Sequence, residues 1–294
     1  KNGITFSLST KLELQLSKLL VRTIPSAEMV RFGKNGTDVT SAAIRLARYH
    51  TGREYVAACG YHGWQDWYIG STSMNNGVPK DIIKKTKTFK FNKIQTLKEL
   101  LKKKKFAAVI LEPLSASLPA EKFLFEVKKI CKKHGAVLIF DEICTAFRVS
   151  MGGAQKIYKI NPDLTTLGKG IANGMPLAAL VGKKEIMKKI DKIFFSGTFA
   201  GETLSLQAGI STIKYMKKYK TVEKVNSLGL FFLKKMKKIL KKHKLENHIS
   251  LTGHPNWLFL NYISKKYNKN LLKSFVMQEL IKEKILFLGT FNFN

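Results

Sequence analysis

Between about residue 30 and residue 215, short apolar runs alternate with longer stretches in which apolar residues recur every three or four positions. The runs MVRFG (29–33), EYVAACG (54–60), FAAVILEP (106–113), AVLIFDE (136–142), LTTLGK (164–169) and LAALVG (177–182) have the length and aliphatic content of strands. The periodic stretches predict helices over 38–50, 94–104, 121–134 and 202–218. Strands that lack polar alternation are covered on both faces, so the pattern predicts an α/β fold: a mainly parallel sheet with helices on each side. Such sheets bind ligands at the carboxyl ends of their strands. Gly36, Tyr61, Glu112, Asp141 and Lys169 all fall at predicted strand ends.

After about residue 220 the pattern changes to a lysine-rich helix (221–243), a strand WLFLNYI (257–263), a helix (271–284) and a last strand ILFLG (285–289). This predicts a large α/β domain over 1–218 and a smaller, partial α+β domain over 219–294. The chain opens on KNGITFSL with no clear first element and stops at FNFN inside a continuing pattern. It reads as a fragment short at both ends.

Composition narrows the picture. A chain of 294 residues that is 45% hydrophobic can bury a sizeable core. It carries no apolar run of membrane-spanning length and no signal segment, so a soluble cytoplasmic protein without a membrane partner is expected. Cys59, Cys131 and Cys144 are odd in number and lack ligand spacing, which argues against a disulfide framework or a metal site. The net charge of +32 raises nucleic acid as a partner. Its lysines, however, sit in amphipathic stretches such as EVKKICKKH and FFLKKMKKILKKHK, with no nucleic-acid-binding motif beside them. A basic nucleic-acid-binding protein and a non-catalytic scaffold stay as lesser alternatives.

Two residues carry the sharpest chemistry. Asp141 closes one apolar strand, and Lys169, bracketed by glycines, follows the uncharged stretch DLTTLG. A lysine amine and a strand-end carboxylate are what a pyridoxal phosphate enzyme needs: one to bond the cofactor aldehyde, the other to hold its ring nitrogen protonated. Each has a plainer reading, as a solvated lysine and a helix-capping aspartate. The segment GKNGTDVTSAAIRLARYHTGR is equally a phosphate seat at a helix N-terminus or an ordinary capped helix. In GYHGWQDWYIG the Tyr61 ring can stack on a flat ligand or pack as core. Glu112, ending an apolar strand, needs a hydrogen-bond partner there.

Taken in order, NGT, YHG, LEP, DEI and LGKGIANGMP resemble the class III, fold type I pyridoxal phosphate-dependent aminotransferases, in particular the glutamate-1-semialdehyde 2,1-aminomutase branch. The resemblance runs from about residue 25 to 290. It implies a seven-stranded-type sheet covered by helices, and a homodimer with shared active sites. It also implies a catalytic Lys169, Asp141 on the pyridine nitrogen, and Gly36 and Thr37 on the phosphate. Tyr61 and Ile143 would lie on the two ring faces, with His62, Glu112 and Glu142 in support. Thr198 in FFSGTFAGETLS would reach the neighbouring subunit's cofactor. The expected substrates are a small-molecule amino donor and a carbonyl acceptor, that is, an amino acid, amino-aldehyde or keto-sugar type of molecule. Intramolecular amino transfer is the alternative. Asn35, Cys144 and the segment GETL depart from the family pattern and leave the substrate open.

Overall fold

A computed structural model describes residues 3–5 and 8–287. These form two compact units, one from the described residues of Lys1–Pro113 and Pro119–Tyr219, the other from those of Leu114–Leu118 and Lys220–Asn294.

The first unit is built on a seven-stranded sheet. Its strands are β1 (Met29–Gly33), β2 (Tyr55–Cys59), β3 (Thr86–Thr88), β4 (Phe106–Leu111), β5 (Val137–Asp141), β6 (Leu164–Leu167) and β7 (Ala178–Gly182), in the order β1-β7-β6-β5-β4-β2-β3. Strands β3, β2, β4, β5 and β6 run parallel, and β7 lies antiparallel between β6 and β1. The mainly parallel α/β sheet expected from the apolar runs is therefore present. Every residue of β4, β5, β6 and β7 is buried. That follows from aliphatic strands with helices packed on both faces.

One face is covered by α2 (Gly36–Thr51), whose Val39, Ala43, Leu46 and Ala47 pack on Val56, Ala108, Ile139 and Leu180. The helix Phe123–His134 covers Leu138 and Phe140 on the other face. Beside it, α1 (Lys11–Val21) joins the helix Thr203–Tyr219 over Leu167, Ala179 and Val181. The helix α1 begins at Thr10, whose hydroxyl accepts from Glu13 N while Glu13 returns the bond to Thr10 N, a reciprocal cap.

In the second unit the helix Thr221–Lys242, a hairpin of β8 (Ile249–His254) and β9 (Trp257–Tyr262), and the helix Lys269–Lys282 enclose a core of Leu240, Ile249, Leu260 and Tyr262. Gly229 lets the long helix approach closely, since a side chain there would run into the Pro255 carbonyl. The expected strand ILFLG is not formed over Ile285–Phe287, and Leu288 and Gly289 lie outside the described residues.

Candidate active site

The parallel strands β2, β4, β5 and β6 point their carboxyl ends at one cavity of about 530 Å³ within the first unit. Eight of the residues singled out in the sequence line it. Gly36, Thr37 and Ile143 stand on one side, Tyr61, His62 and Glu112 on another, and Asp141 and Lys169 at the strand ends. Glu142 is fully buried and does not line the cavity. Its carboxylate bonds the Thr145 hydroxyl and the main-chain N–H groups of Ala154 and Gln155, so it anchors the start of the helix Gly153–Tyr158. Thr198 lies on an exposed segment away from the cavity lining.

Asp141 ends β5 and is almost wholly buried. Its Oδ2 lies 2.8 Å from His62 Nδ1, while Oδ1 accepts from the Thr166 hydroxyl and from Ile143 N, each at 3.2 Å. Three partners leave this carboxylate one orientation, toward the cavity. The His62 ring is itself fully enclosed, and its Nε2 has no hydrogen-bond partner among the described residues. His62 is held by packing against Trp67 and Tyr68, and its carbonyl accepts from the Thr40 hydroxyl of α2.

Lys169 follows β6 after Gly168, in a short 3-10 turn, with a left-handed φ of +41°. A β-carbon makes this conformation unfavourable, by roughly 1–3 kcal/mol, and it persists only where surrounding structure enforces it. The Lys169 amine donates to Cys144 Sγ at 2.9 Å. Burial pushes the Cys144 thiol up, with the Lys169 charge opposing, so a neutral thiol faces the amine at neutral pH.

A seat for an anion lines the same cavity. Asn35, Gly36 and Thr37 open α2, with their turn fixed by the Asp38 carboxylate, which accepts from Lys34 N at 3.2 Å and Asn35 N at 2.8 Å. Gly36 sits so close to Ile143 that a Cβ would fall 2.7 Å from its Cδ1. Gly63, at φ +102°, brings its turn within 2.5 Å of the Thr37 hydroxyl by the same measure. That hydroxyl is buried with no partner among the described residues. An orphaned donor beside free N–H groups at a helix N-terminus suits a phosphate oxygen.

Tyr61 projects into solvent at the mouth, 61% exposed, its N–H donating to Glu112 Oε2 at 2.9 Å. Burial raises the Glu112 carboxyl, and the Tyr61 N–H holds it partly back. No sequence signal points to the His62–Asp141 contact, although His62 adjoins Tyr61 in the motif. Lys34 and the turn Gly174–Leu177, which also line the cavity, are not marked out by sequence either. Their signal is faint: one lysine among many, and a Gly-Met-Pro turn already read as part of the lysine motif.

Comparison with known proteins shows the family. The family profile described as aminotransferase class-III matches residues 4–255. The chain is 39% identical over 264 residues to a glutamate-1-semialdehyde 2,1-aminomutase of Archaeoglobus fulgidus, covering 84% of this chain and 63% of that protein. It is 36% identical over 275 residues to glutamate-1-semialdehyde 2,1-aminomutase 2 of Lachnoclostridium phytofermentans, covering 86% and 64%. The chain thus spans less than two thirds of the length of these curated relatives. Among solved structures it is similar to an omega-transaminase from Sphaerobacter thermophilus, with a TM-score of 0.88, 25% identity, and coverage of 99% of this chain and 74% of that one. A glutamate-1-semialdehyde-aminomutase from Pseudomonas aeruginosa PAO1, solved in complex with PMP, shares the fold at a TM-score of 0.85 and 22% identity, with coverage of 98% and 71%.

Proposed function

This chain belongs to the class III aminotransferases, and from that premise we propose that it acts as a pyridoxal phosphate-dependent enzyme that moves an amino group, with Lys169 as its catalytic amine. The observation that carries the reading is the convergence on one cavity of a strained, amine-bearing Lys169, a thrice-bonded Asp141 carboxylate, and an anion seat with an orphaned Thr37 hydroxyl.

When bound, pyridoxal phosphate supplies an aldehyde that amines add to and a ring that accepts the electron pair left when a C–H bond beside nitrogen breaks. The chain's own residues fit the rest of that chemistry. Gly36 and Thr37 would hold the phosphate through their N–H groups and the Thr37 hydroxyl. Asp141, fixed by His62, Thr166 and Ile143, would hold a proton on the ring nitrogen by ion pairing. Tyr61 and Ile143 would bound the two ring faces. The Lys169 Nζ, once free, would take the substrate proton and return it at a different carbon, a transfer that needs an amine within reach of both atoms. Thr198 would serve the partner's site in a homodimer, in keeping with its exposed position.

Transamination between a small-molecule amino donor and a carbonyl acceptor is the main reading. Intramolecular transfer is the second, and the names of the two curated relatives favour it. Both use the same lysine and aspartate. Purified protein loaded with pyridoxal phosphate and offered single amino donors should show the cofactor absorbance shift to that of its amine form, and Lys169→Ala should not turn over. Conversion of glutamate 1-semialdehyde with no second substrate would assign the intramolecular reaction. No response to any donor or to the semialdehyde would overturn the proposal.

A further inference from the structure

Most lysines of this chain extend into water, but Lys34 does not. Its side chain is only 16% exposed, and its Nζ donates to Glu202 Oε1 at 2.7 Å and to the Pro176 carbonyl at 3.0 Å. Glu202 is buried in turn and carries two more bonds. Its Oε2 accepts from Leu204 N at 2.8 Å and its Oε1 from Ser205 N at 2.9 Å, capping the helix Thr203–Tyr219. Burial alone would lift this carboxyl, but the hydrogen bonds from Lys34 and Ser205 and the Lys34 charge outweigh it and bring it down to about 2. The Glu202 carboxylate is therefore ionised at neutral pH and stays a charged acceptor for the Lys34 amine.

The ties converge on one place. Lys34 directly precedes the Asn35-Gly36-Thr37 turn, and its own N–H is bound to the Asp38 carboxylate. Pro176 belongs to the turn after Lys169, and that turn lines the cavity. Glu202 stands at the helix start, four positions after Thr198. One ammonium group thus pins the anion seat, the lysine-side wall and the base of the Thr198 segment to one another. Resting on the cofactor reading above, we propose that Lys34 and Glu202 are positioning residues for the phosphate seat: their ion pair holds the Asn35–Thr37 turn so that its donors aim at one point.

The physical need is angular. Hydrogen bonds from backbone N–H groups weaken steeply as alignment is lost, and a seat assembled from a turn has no internal rigidity to preserve it. A buried pair with both partners satisfied supplies that rigidity, and removing one partner strands the other.

A rival explanation is that Lys34 acts only as a nearby positive charge. The two differ in the sign of one result. If charge alone matters, removing Glu202 leaves Lys34 unneutralised and tightens phosphate binding. If positioning matters, removing Glu202 releases Lys34 and weakens it.

The test is an equilibrium titration of the full chain with pyridoxal phosphate and, separately, with phosphate-free pyridoxal, followed by absorbance. Wild type, Lys34→Met, Glu202→Ala and the exchanged pair Lys34→Glu with Glu202→Lys are compared, with circular dichroism confirming the fold of each. Each single variant is expected to bind pyridoxal phosphate about tenfold more weakly, about 1.4 kcal/mol, and to bind pyridoxal as wild type does. The exchanged pair is expected to regain part of the loss. Tighter pyridoxal phosphate binding by Glu202→Ala, unchanged binding by both single variants, or equal losses for both ligands would each overturn the positioning role. Wild type that binds neither ligand would instead overturn the cofactor reading, a result separable from failure of the tie.

Discussion

At the scale of single residues the site depends on two side chains whose surroundings hold them against their own preferences. Lys169 keeps a left-handed backbone, and Asp141 keeps a carboxylate in a place where burial without partners would be costly. The bonds to Asp141 show how that cost is offset, and they also define a test. Asp141→Asn preserves shape, but an amide cannot pair with a protonated ring nitrogen. The variant should still take up pyridoxal phosphate while turnover falls roughly a thousandfold, the equivalent of several kcal/mol in the barrier. Steady-state rates with a substrate found for wild type, alongside a cofactor titration, check this. Near-normal turnover would remove Asp141 from the mechanism. The identities of Asp141 and Lys169 were readable from glycines, charge-free flanks and strand ends. The His62–Asp141 contact was not, because it joins the ends of β2 and β5, and only the sheet order brings those together.

At the scale of elements the six helices expected from the periodicity lie within a few residues of the observed ones, since a covered sheet leaves each a stripe of apolar residues, while α1 and short helices such as Gly153–Tyr158 are not foreseen. The departures have physical causes. LTTLGK was expected to be strand through Lys169, but pairing stops at Leu167 because the lysine turns into left-handed backbone. The strand β3, with sequence TKT, buries one residue of three and leaves no apolar run to notice. The strand β8 is mostly half-buried, which hides its alternation. No local pattern could say that β7 inserts antiparallel between β6 and β1, a matter of connection and not of composition. Gly36 gives the clearest test at this scale. Alanine favours a helix start no less than glycine, yet its Cβ would press on Ile143 and move that side chain into the cavity. Gly36→Ala should therefore melt within a few degrees of wild type and bind pyridoxal phosphate about tenfold more weakly, about 1.4 kcal/mol. Thermal melting and cofactor titration measured together separate the two effects. Unchanged affinity would mean that Gly36 is not part of the seat.

At the scale of the whole molecule the proposed homodimer builds each working site from two chains. Thr198 is exposed and clear of its own chain's cavity, which fits a residue that serves a neighbour. Mixing Thr198→Ala chains with Lys169→Ala chains should then yield mixed dimers in which the lysine-bearing site receives an intact threonine from its partner. Activity per lysine should exceed that of Thr198→Ala alone, and no recovery after confirmed subunit exchange would place Thr198 in its own chain's service. Charge sets the conditions for that exchange. The helix Thr221–Lys242 holds Lys234, Lys235, Lys237, Lys238, Lys241 and Lys242 exposed, and each chain carries a net charge of +32. In the proposed homodimer two such chains would meet against their mutual repulsion, which reaches further in dilute buffer and is screened beyond about 8 Å at physiological ionic strength. Ionic strength would therefore be a handle on that proposed assembly: dilute buffer would loosen the pair and let chains trade places, and added salt would close it again.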